Sequence, residues 1–196
     1  LINAGKIQVK KIEINSSKIK KKTQLIFLSD IHLGTNSKKH LEKIYFKIKG
    51  VKFDFIIVGG DLIDSSSFKL DGLEILKNIK KPIFFISGNH EYYIKDYKKK
   101  LCKLRQYNIT YLNNISHKFN DINIIGISDN QKIIDQIKTA NKLFKKNSFN
   151  LITVHKPTLW NSVYEQTDLM LSGHTHNGQI FPFNFFVKFQ FKNIYG

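Results

Sequence analysis

Several residue types are scarce in this chain of 196 residues, and each scarcity excludes a class of structure. A single cysteine, Cys102, excludes an intrachain disulfide and a zinc-ribbon type of site. No run of apolar residues reaches the roughly 18–20 positions that a membrane-spanning helix needs. Only three prolines occur, and no linker rich in proline, glycine or serine interrupts the chain. We therefore predict a single domain over residues 1–196.

Positive charge dominates the chain, with 32 lysine and arginine residues against 15 aspartate and glutamate residues and a formal net charge of +17. Such a field attracts nucleic acid, an anionic membrane surface or a phosphorylated substrate. Arg105 is the only arginine, which argues against sequence-specific DNA recognition, because arginine matches phosphates and guanine edges best. A compositional bias toward lysine, isoleucine and asparagine explains the charge equally well, and the composition leaves both interpretations open.

Six short apolar runs predict buried strands, since they are rich in isoleucine, valine and phenylalanine and are bounded by turn residues. They lie at residues 25–28, 53–58, 83–86, 122–127, 151–154 and 169–171. Helix-like stretches separate several of them, at about residues 38–49, 69–79, 94–106 and 131–145. Strands that alternate with helices indicate an α/β fold.

The two ends of the chain carry patterns of another kind. Residues 7–14 alternate between apolar and polar side chains, which predicts a leading strand. Residues 181–191 hold six phenylalanines in eleven positions and fit either a core strand or an exposed aromatic flap. The chain starts at Leu1 rather than methionine, as expected of a processed chain that has lost a targeting or anchoring segment.

Five of the six apolar runs are followed directly by side chains that bind metals. In chain order, these are Asp30 and His32, Asp61 and Asp64, Asn89, His90 and Glu91, His155, and His174 and His176. In open α/β sheets, ligands bind just beyond the carboxyl ends of the strands, so we expect these side chains to converge at one edge. Oxygen and nitrogen donors without thiolate suit manganese, iron or zinc. The remaining histidines, His40 and His117, are expected to be surface or capping residues.

Local geometry favours close pairs within this set. Asp30 and His32 stand two residues apart, as do His174 and His176, and such side chains point the same way in an extended segment. Glycine stands directly before three of the candidate ligands. A glycine there allows the backbone to turn sharply and to approach an ion closely.

Together these motifs resemble the calcineurin-like metallophosphoesterases over about residues 23–182. The family pattern of Asp-x-His, Gly-Asp-x-x-Asp, Gly-Asn-His-Glu/Asp, His and Gly-His-x-His is present in full. The segment Ser-Gly-His-Thr-His-x-Gly-Gln is similar to a branch of bacterial phosphoesterases that are often membrane-associated, although Asn177 replaces one of the glycines usual there. The resemblance implies two mixed β-sheets packed as a sandwich and flanked by helices, a four-layer α/β/β/α fold. It also implies a tail beyond Gly196.

The same resemblance implies two divalent metal ions, most often manganese, with iron or zinc as alternatives. The expected ligands of the first metal are Asp30, His32, Asp61 and His176. Those of the second metal are Asp61, Asn89, His155 and His174. Asp61 would therefore bridge the two ions, which agrees with the general arrangement in which two cations share a carboxylate and activate a water molecule.

His90 and Asp64 are the catalytic residues that the resemblance implies. His90 follows the ligand Asn89 and is expected to stabilise transition-state charge or to protonate the leaving group. Asp64 is expected to hold His90 in its productive orientation. Glu91 receives no definite role and is expected to support the residues that touch the metals. The expected reaction is in-line hydrolysis of a phosphoester or pyrophosphate bond.

Two substrate classes stay open at the level of the sequence. The first is a lipid-linked phosphodiester or pyrophosphate such as UDP-2,3-diacylglucosamine, which the basic N-terminal residues, the phenylalanine-rich stretch and the family branch favour. It implies a membrane-associated protein, held peripherally or through an anchor absent from this chain. The alternative is a soluble phosphodiesterase for cyclic nucleotides or nucleic acid, which the net charge favours. A protein phosphatase is disfavoured, because Ser65 and Ser66 stand where such relatives carry arginine.

Overall fold

The apolar runs form six of the eight strands of two four-stranded sheets in the computed structural model, which describes residues 7–175. The first sheet consists of β1 (Leu25–Leu28), β2 (Phe55–Gly59), β3 (Ile83–Ile86) and β4 (Ile109–Tyr111). The second sheet consists of β5 (Ile115–Phe119), β6 (Ile122–Ile127), β7 (Phe149–Val154) and β8 (Leu169–Leu171). All six predicted strands are therefore confirmed, with small shifts at their ends.

Strand order follows chain order in both sheets. The described strands of the first sheet are parallel throughout. In the second sheet β5 pairs with β6 in the antiparallel sense, whereas β6, β7 and β8 are parallel. Because parallel strands end at the same edge, the loops after β1, β2 and β3 meet at one edge of the first sheet. The loops after β7 and β8 likewise meet at one edge of the second.

Helices occur in all four stretches where the sequence predicts them. The α-helices are α1 (Lys38–Lys49), α2 (Asn89–Tyr93), α3 (Tyr97–Lys103), α4 (Ile133–Leu143) and α5 (Trp160–Val163). Of these, α2 and α5 are two that the sequence does not predict. The stretch predicted at 69–79 is a 3₁₀ helix at Leu70–Asn78, and another at Leu104–Tyr107 continues α3. No helix within residues 7–175 combines the length and the apolarity that crossing a membrane requires.

Three apolar clusters hold these elements in four layers. Alternate residues of β2 face opposite ways, so Phe55 and Ile57 pack with Ile124 of the second sheet, while Ile56 and Val58 pack on the side of α1. On the far side of the second sheet, residues of β6 and β7 pack with Ala140 and its neighbours in α4. Helix, sheet, sheet and helix therefore follow one another, and the predicted α/β sandwich fold is confirmed.

The predicted leading strand at residues 7–14 is wrong. This segment contains no strand, and the side chains of Val9, Ile12 and Ile14 are more than half exposed. Within the segment Ile7 packs against the cluster on the α1 side of the first sheet. Further along, the Lys20 N–H donates to an Asp121 carboxylate oxygen and Ile19 packs against the cluster between the sheets. An alternating pattern forms a strand only where a neighbouring strand offers its backbone, and no strand among residues 7–175 pairs with this segment.

Candidate metal centre

Loops at the carboxyl ends of five strands carry the candidate ligands. Backbone hydrogen bonds join neighbouring loops, since the Asp30 N–H donates to the Gly60 carbonyl at 3.1 Å and the His32 N–H to the Asp61 carbonyl at 2.9 Å. Across the two sheets, the His174 N–H lies 3.2 Å from both carboxylate oxygens of Asp30. The ends of both sheets therefore form one site. His176, the last predicted ligand, lies outside the described residues.

A single oxygen atom, Asp61 Oδ2, lies at the centre of this site. The Nε2 atom of His155 is 3.1 Å from it, and the Nε2 atoms of His32 and His90 are each 3.9 Å from it. The other oxygen, Oδ1, accepts the backbone N–H of His90 at 3.0 Å. The Asp61 side chain is only 2% exposed, so three imidazoles converge on a carboxylate that solvent hardly reaches.

Three overlapping groups of side chains each bring three potential ligand atoms within 4.8 Å of one another. The first group consists of Asp30, His32 and Asp61. The second consists of Asp61, His155 and His174. The third consists of His32, Asp64 and His90. The first two share Asp61 and correspond to the two ligand sets expected from the sequence, apart from Asn89 and His176.

Asn89 supplies an independent observation on what this site binds. Among residues 7–175 its side-chain oxygen Oδ1 is buried and has no hydrogen-bond partner within the protein. A buried amide oxygen left without a partner costs free energy comparable to a lost hydrogen bond. A divalent cation accepts such an oxygen as a ligand. The Asn89 oxygen, the two ligand groups and their oxygen and nitrogen chemistry therefore fit divalent metal ions.

The backbone at four candidate ligands is strained. Asp30, His32, Asp61 and His174 have φ angles of 56°, 51°, 52° and 68°, in the left-handed region that costs a residue other than glycine about 1–3 kcal/mol. The prediction that Asp30 and His32 converge because they lie in an extended segment therefore had the wrong reason. Their side chains do approach, with Asp30 Oδ1 4.0 Å from His32 Nε2, but left-handed turns direct them there.

Glycines allow the loops to come this close. A Cβ atom on Gly60, whose φ is +95°, would lie 2.5 Å from Nδ1 of His155. A Cβ atom on Gly173 would lie 1.8 Å from Oγ of Ser29 and 2.6 Å from Oδ2 of Asp30. Both approaches are too short for any side chain, so these two positions need glycine to let the candidate ligands meet.

The electrostatics of Asp61 and His155 are those of a tightly coupled pair. Burial by itself would lower the pKa of His155, but contact with the Asp61 carboxylate, together with the Gly59 carbonyl 2.9 Å from its Nδ1, raises it to about 9. Burial opposes ionisation of Asp61, yet His155 and the N–H of His90 hold the Asp61 pKa below its usual range. Because imidazole binds metals in its neutral form, a metal at this site displaces a proton from the pair.

The pKa of His174 is shifted in the direction opposite to that of His155. Its pKa is lowered, first by burial and then by the nearby positive charges of His155 and Lys156. The Lys156 ammonium pairs with Asp129 at 2.9 Å. His174 is therefore kept in the neutral form that a metal ligand requires.

Asp64 and His90, the predicted catalytic residues, lie on either side of His32. A carboxylate oxygen of Asp64 is 3.4 Å from Nδ1 of His32, and the imidazole rings of His32 and His90 meet edge-to-face with centroids 4.7 Å apart. The shortest ion-pair distance of Asp64 within the described residues is thus to His32, not to His90. The direct orientation of His90 by Asp64 stays a prediction.

Glu91, which the sequence predicts only as a support for the residues that touch the metals, makes contacts that the sequence did not specify. Its buried carboxylate accepts backbone N–H groups from Gly88, Asp61 and Ile63 at 2.7, 3.0 and 2.9 Å. Burial raises the pKa of Glu91 to about 7, although these three donors favour the charged form. Glu91 therefore joins the loop after β2 to the start of α2 and fixes the backbone of Asp61. A signal existed in the Gly-Asn-His-Glu motif, but its long-range partners follow from the fold alone.

Comparison with known proteins places this geometry in a family. The sequence profile described as calcineurin-like phosphoesterase matches residues 23–178. A relative from Helicobacter pylori, named an uncharacterized metallophosphoesterase, is 33% identical over 192 residues, covering 92% of this chain and 52% of the relative. A Danio rerio relative, named a transmembrane protein with metallophosphoesterase domain, is 30% identical over 181 residues, covering 81% of this chain and 41% of the relative.

The chain thus spans about half the length of the curated relatives it matches. A solved crystal structure superposes with a TM-score of 0.51 over 78% of this chain and 84% of that chain, and its 10% identity makes this a likeness of fold alone. The profile covers most of the chain, and the two ligand groups centred on Asp61 lie within the matched residues. The chain belongs to the calcineurin-like phosphoesterase family.

Proposed function

We propose that this chain hydrolyses a phosphodiester or pyrophosphate bond with two divalent metal ions. The observation that carries the proposal is the buried carboxylate of Asp61, which two groups of ligand atoms share. A carboxylate shared in this way is the arrangement by which dinuclear hydrolases hold two cations close together. When bound, such ions supply Lewis-acid stabilisation of the phosphate and an activated water molecule.

The residues that would hold the metals follow from the groups described above. Those of the first site are Asp30, His32 and Asp61, with His176 as the proposed fourth ligand. Those of the second site are Asp61, Asn89, His155 and His174. The set combines carboxylate and amide oxygens with imidazole nitrogens and has no thiolate, which suits manganese, iron or zinc. Manganese is the proposed ion, because the family resemblance favours it.

His90 is the proposed general acid. Its side chain is 41% exposed, unlike the buried imidazole of His155, so a substrate can reach it. Its backbone N–H is fixed by Asp61 Oδ1. From this position its imidazole can hold a proton for the departing oxygen or stabilise charge on the phosphate. Asp64 supports His90 indirectly, because it orients the His32 ring and the His32 ring packs against His90.

We expect His90→Ala to lower kcat for bis-p-nitrophenyl phosphate by about 10²-fold or more while two manganese ions per chain stay bound, because His90 acts on the substrate and is not a ligand. Metal content by elemental analysis and the release of p-nitrophenol measure the two effects. His117→Ala, which removes an exposed histidine on β5, is the matched control and should retain wild-type kcat. Wild-type turnover by His90→Ala would remove His90 from the mechanism.

For the substrate, we propose a lipid-linked phosphodiester or pyrophosphate such as UDP-2,3-diacylglucosamine. The support is the N-terminal segment, where exposed Lys10 and Lys11 lie among exposed Val9, Ile12 and Ile14. Lysines interspersed with apolar side chains are typical of segments that lie on anionic membranes. The name of the Danio rerio relative points the same way. The phenylalanine-rich residues 181–191 lie outside the described residues and add no structural support.

The decisive measurement is release of UMP from UDP-2,3-diacylglucosamine by the manganese-loaded chain, in tubes that also contain bis-p-nitrophenyl phosphate. We expect both substrates to be cleaved, with cleavage of both lost in His90→Ala. Cleavage of the generic diester alone would discard the lipid-linked substrate and keep the phosphohydrolase. A wild-type chain that holds two metals and cleaves neither would contradict the proposed activity.

The net charge of +17 favours a second candidate, a soluble phosphodiesterase acting on cyclic nucleotides or nucleic acid. If phosphates of a nucleic acid are the partner, the affinity for single-stranded DNA should fall steeply as salt is added. If the chain does not bind DNA at low salt, nucleic acid is excluded as its substrate.

A further inference from the structure

The helix that carries His90 is unusually well anchored for its length. α2 spans five residues, and Glu91 ties its first turn to three backbone N–H groups. The next residue, Tyr92, has its hydroxyl hydrogen-bonded to Ser87 at the end of β3 and, at 2.6 Å, to Ser128 at the end of β6. These anchors join α2 to both sheets, so the side chains that α2 points outward are held in place.

One of those outward side chains is Tyr93. It is 74% exposed, more than any other large apolar side chain among residues 7–175. Its ring meets the His90 ring at a centroid distance of 5.7 Å and an interplanar angle of 68°. A rigid element thus presents an open aromatic ring directly beside the imidazole that faces the candidate metal centre.

We propose that Tyr93 forms a binding subsite for a planar, aromatic part of the substrate, such as a nucleobase or an aryl ester group. This inference rests on the proposed function, since it assigns the substrate that His90 acts on. An exposed aromatic ring binds planar groups through its π-face with little dependence on their hydrogen-bonding pattern. Tyrosine is well suited to this role, because its two side-chain torsions leave little entropy to lose.

The neighbouring contacts specify where the planar group lies. The His90 ring lies beside the Tyr93 ring at a centroid distance of 5.7 Å, and Nε2 of His90 lies 3.9 Å from Asp61 Oδ2. A ring stacked on Tyr93 is therefore next to the residue proposed to protonate the leaving group. The subsite accordingly selects esters in which an aromatic group stands close to the reacting phosphate, over esters whose groups are aliphatic.

The test compares two small phosphate esters that differ in planarity. Phenyl phosphate and n-butyl phosphate are titrated calorimetrically into the manganese-loaded chain. In Tyr93→Ala we expect the Kd of phenyl phosphate to rise about tenfold, as one lost stacking contact predicts, and the Kd of n-butyl phosphate to stay within about twofold. Tyr93→Phe keeps the ring and should bind both esters like the wild type. Tyr164→Ala removes an exposed tyrosine elsewhere and is the matched control.

Kinetics give a second reading of the same subsite. If a stacking contact stabilises the ground state and the transition state equally, its removal raises KM and leaves kcat unchanged. Tyr93→Ala should therefore raise the KM for bis-p-nitrophenyl phosphate about tenfold at constant kcat. If Tyr93→Ala weakened the binding of both esters equally, or of neither, the subsite would be overturned. Continued turnover of bis-p-nitrophenyl phosphate in the same experiment would still uphold the proposed function. A metal-loaded wild type that binds neither ester and turns over no diester would instead overturn the proposed function.

Discussion

Asp61→Asn is expected to abolish hydrolysis, with a loss of about 10³-fold or more in kcat/KM, and to reduce bound manganese from two ions per chain to at most one. Among residues 7–175, Asp61 is the one side chain that belongs to both groups of ligand atoms that would hold the proposed metals. The asparagine variant keeps the shape of the side chain and removes its negative charge. It therefore tests charge at the centre of the site rather than packing.

The size of the expected effect follows from electrostatics. Two divalent cations 4 Å apart repel each other by roughly 16 kcal/mol at an effective dielectric constant of 20, four times the value for unit charges. A negative charge between them offsets much of this repulsion, and Asp61 is the residue placed to provide it. The neutral amide of asparagine offers one oxygen and no such compensation, so we expect the second ion to be lost first.

Metal content by elemental analysis, together with turnover of bis-p-nitrophenyl phosphate, measures both consequences. Asp71→Asn is the matched control, since Asp71 is an exposed aspartate on the 3₁₀ helix Leu70–Asn78 and its change should alter neither quantity. Thermal unfolding in the absence of metal shows that the variant is folded. An Asp61→Asn chain that binds two ions and turns over at the wild-type rate would refute a shared carboxylate.

The sequence was sufficient to predict six of the eight described strands and the position of the candidate site. Buried parallel strands appear as continuous apolar runs, and β1, β2 and β3 are runs of this kind with all or nearly all of their residues apolar. The metal-binding residues stand immediately after such runs, so the rule that ligands bind beyond the carboxyl ends of strands located them. β4 and β5 were missed because neither is a continuous apolar run: Thr110 interrupts β4, and β5 is mostly polar and exposed.

The backbone at the site was not predictable from local patterns. Positive φ angles at Asp30, His32, Asp61 and His174 are uncommon for residues other than glycine. At Asp30, His32 and His174 they also contradict the extended conformation expected there. They persist because long-range contacts over-determine them, among these the Asp30 carboxylate held by the His174 N–H. Strain that depends on partners more than a hundred residues away has no signature in the neighbouring sequence.

Glu91→Ala is expected to lower the free energy of unfolding by about 3–5 kcal/mol, although Glu91 is not a proposed metal ligand. The substitution leaves three backbone N–H groups without the acceptor they have in the wild type, and each orphaned buried donor costs about 1–3 kcal/mol. Such a loss is a large fraction of the 5–15 kcal/mol by which domains are commonly stable. Urea denaturation of the metal-free chain measures it directly.

Two further variants separate this effect from a general loss of charge. Glu74→Ala removes a half-exposed glutamate that pairs with Lys77 and should change the unfolding free energy by less than about 0.5 kcal/mol. Glu91→Gln keeps one carbonyl oxygen and should lie between alanine and the wild type. Because one of the three donors is the N–H of Asp61, both Glu91 variants should also weaken manganese binding. Wild-type stability of Glu91→Ala would mean that water or a backbone shift satisfies the three donors, and that Glu91 does not brace the loop on which the site depends.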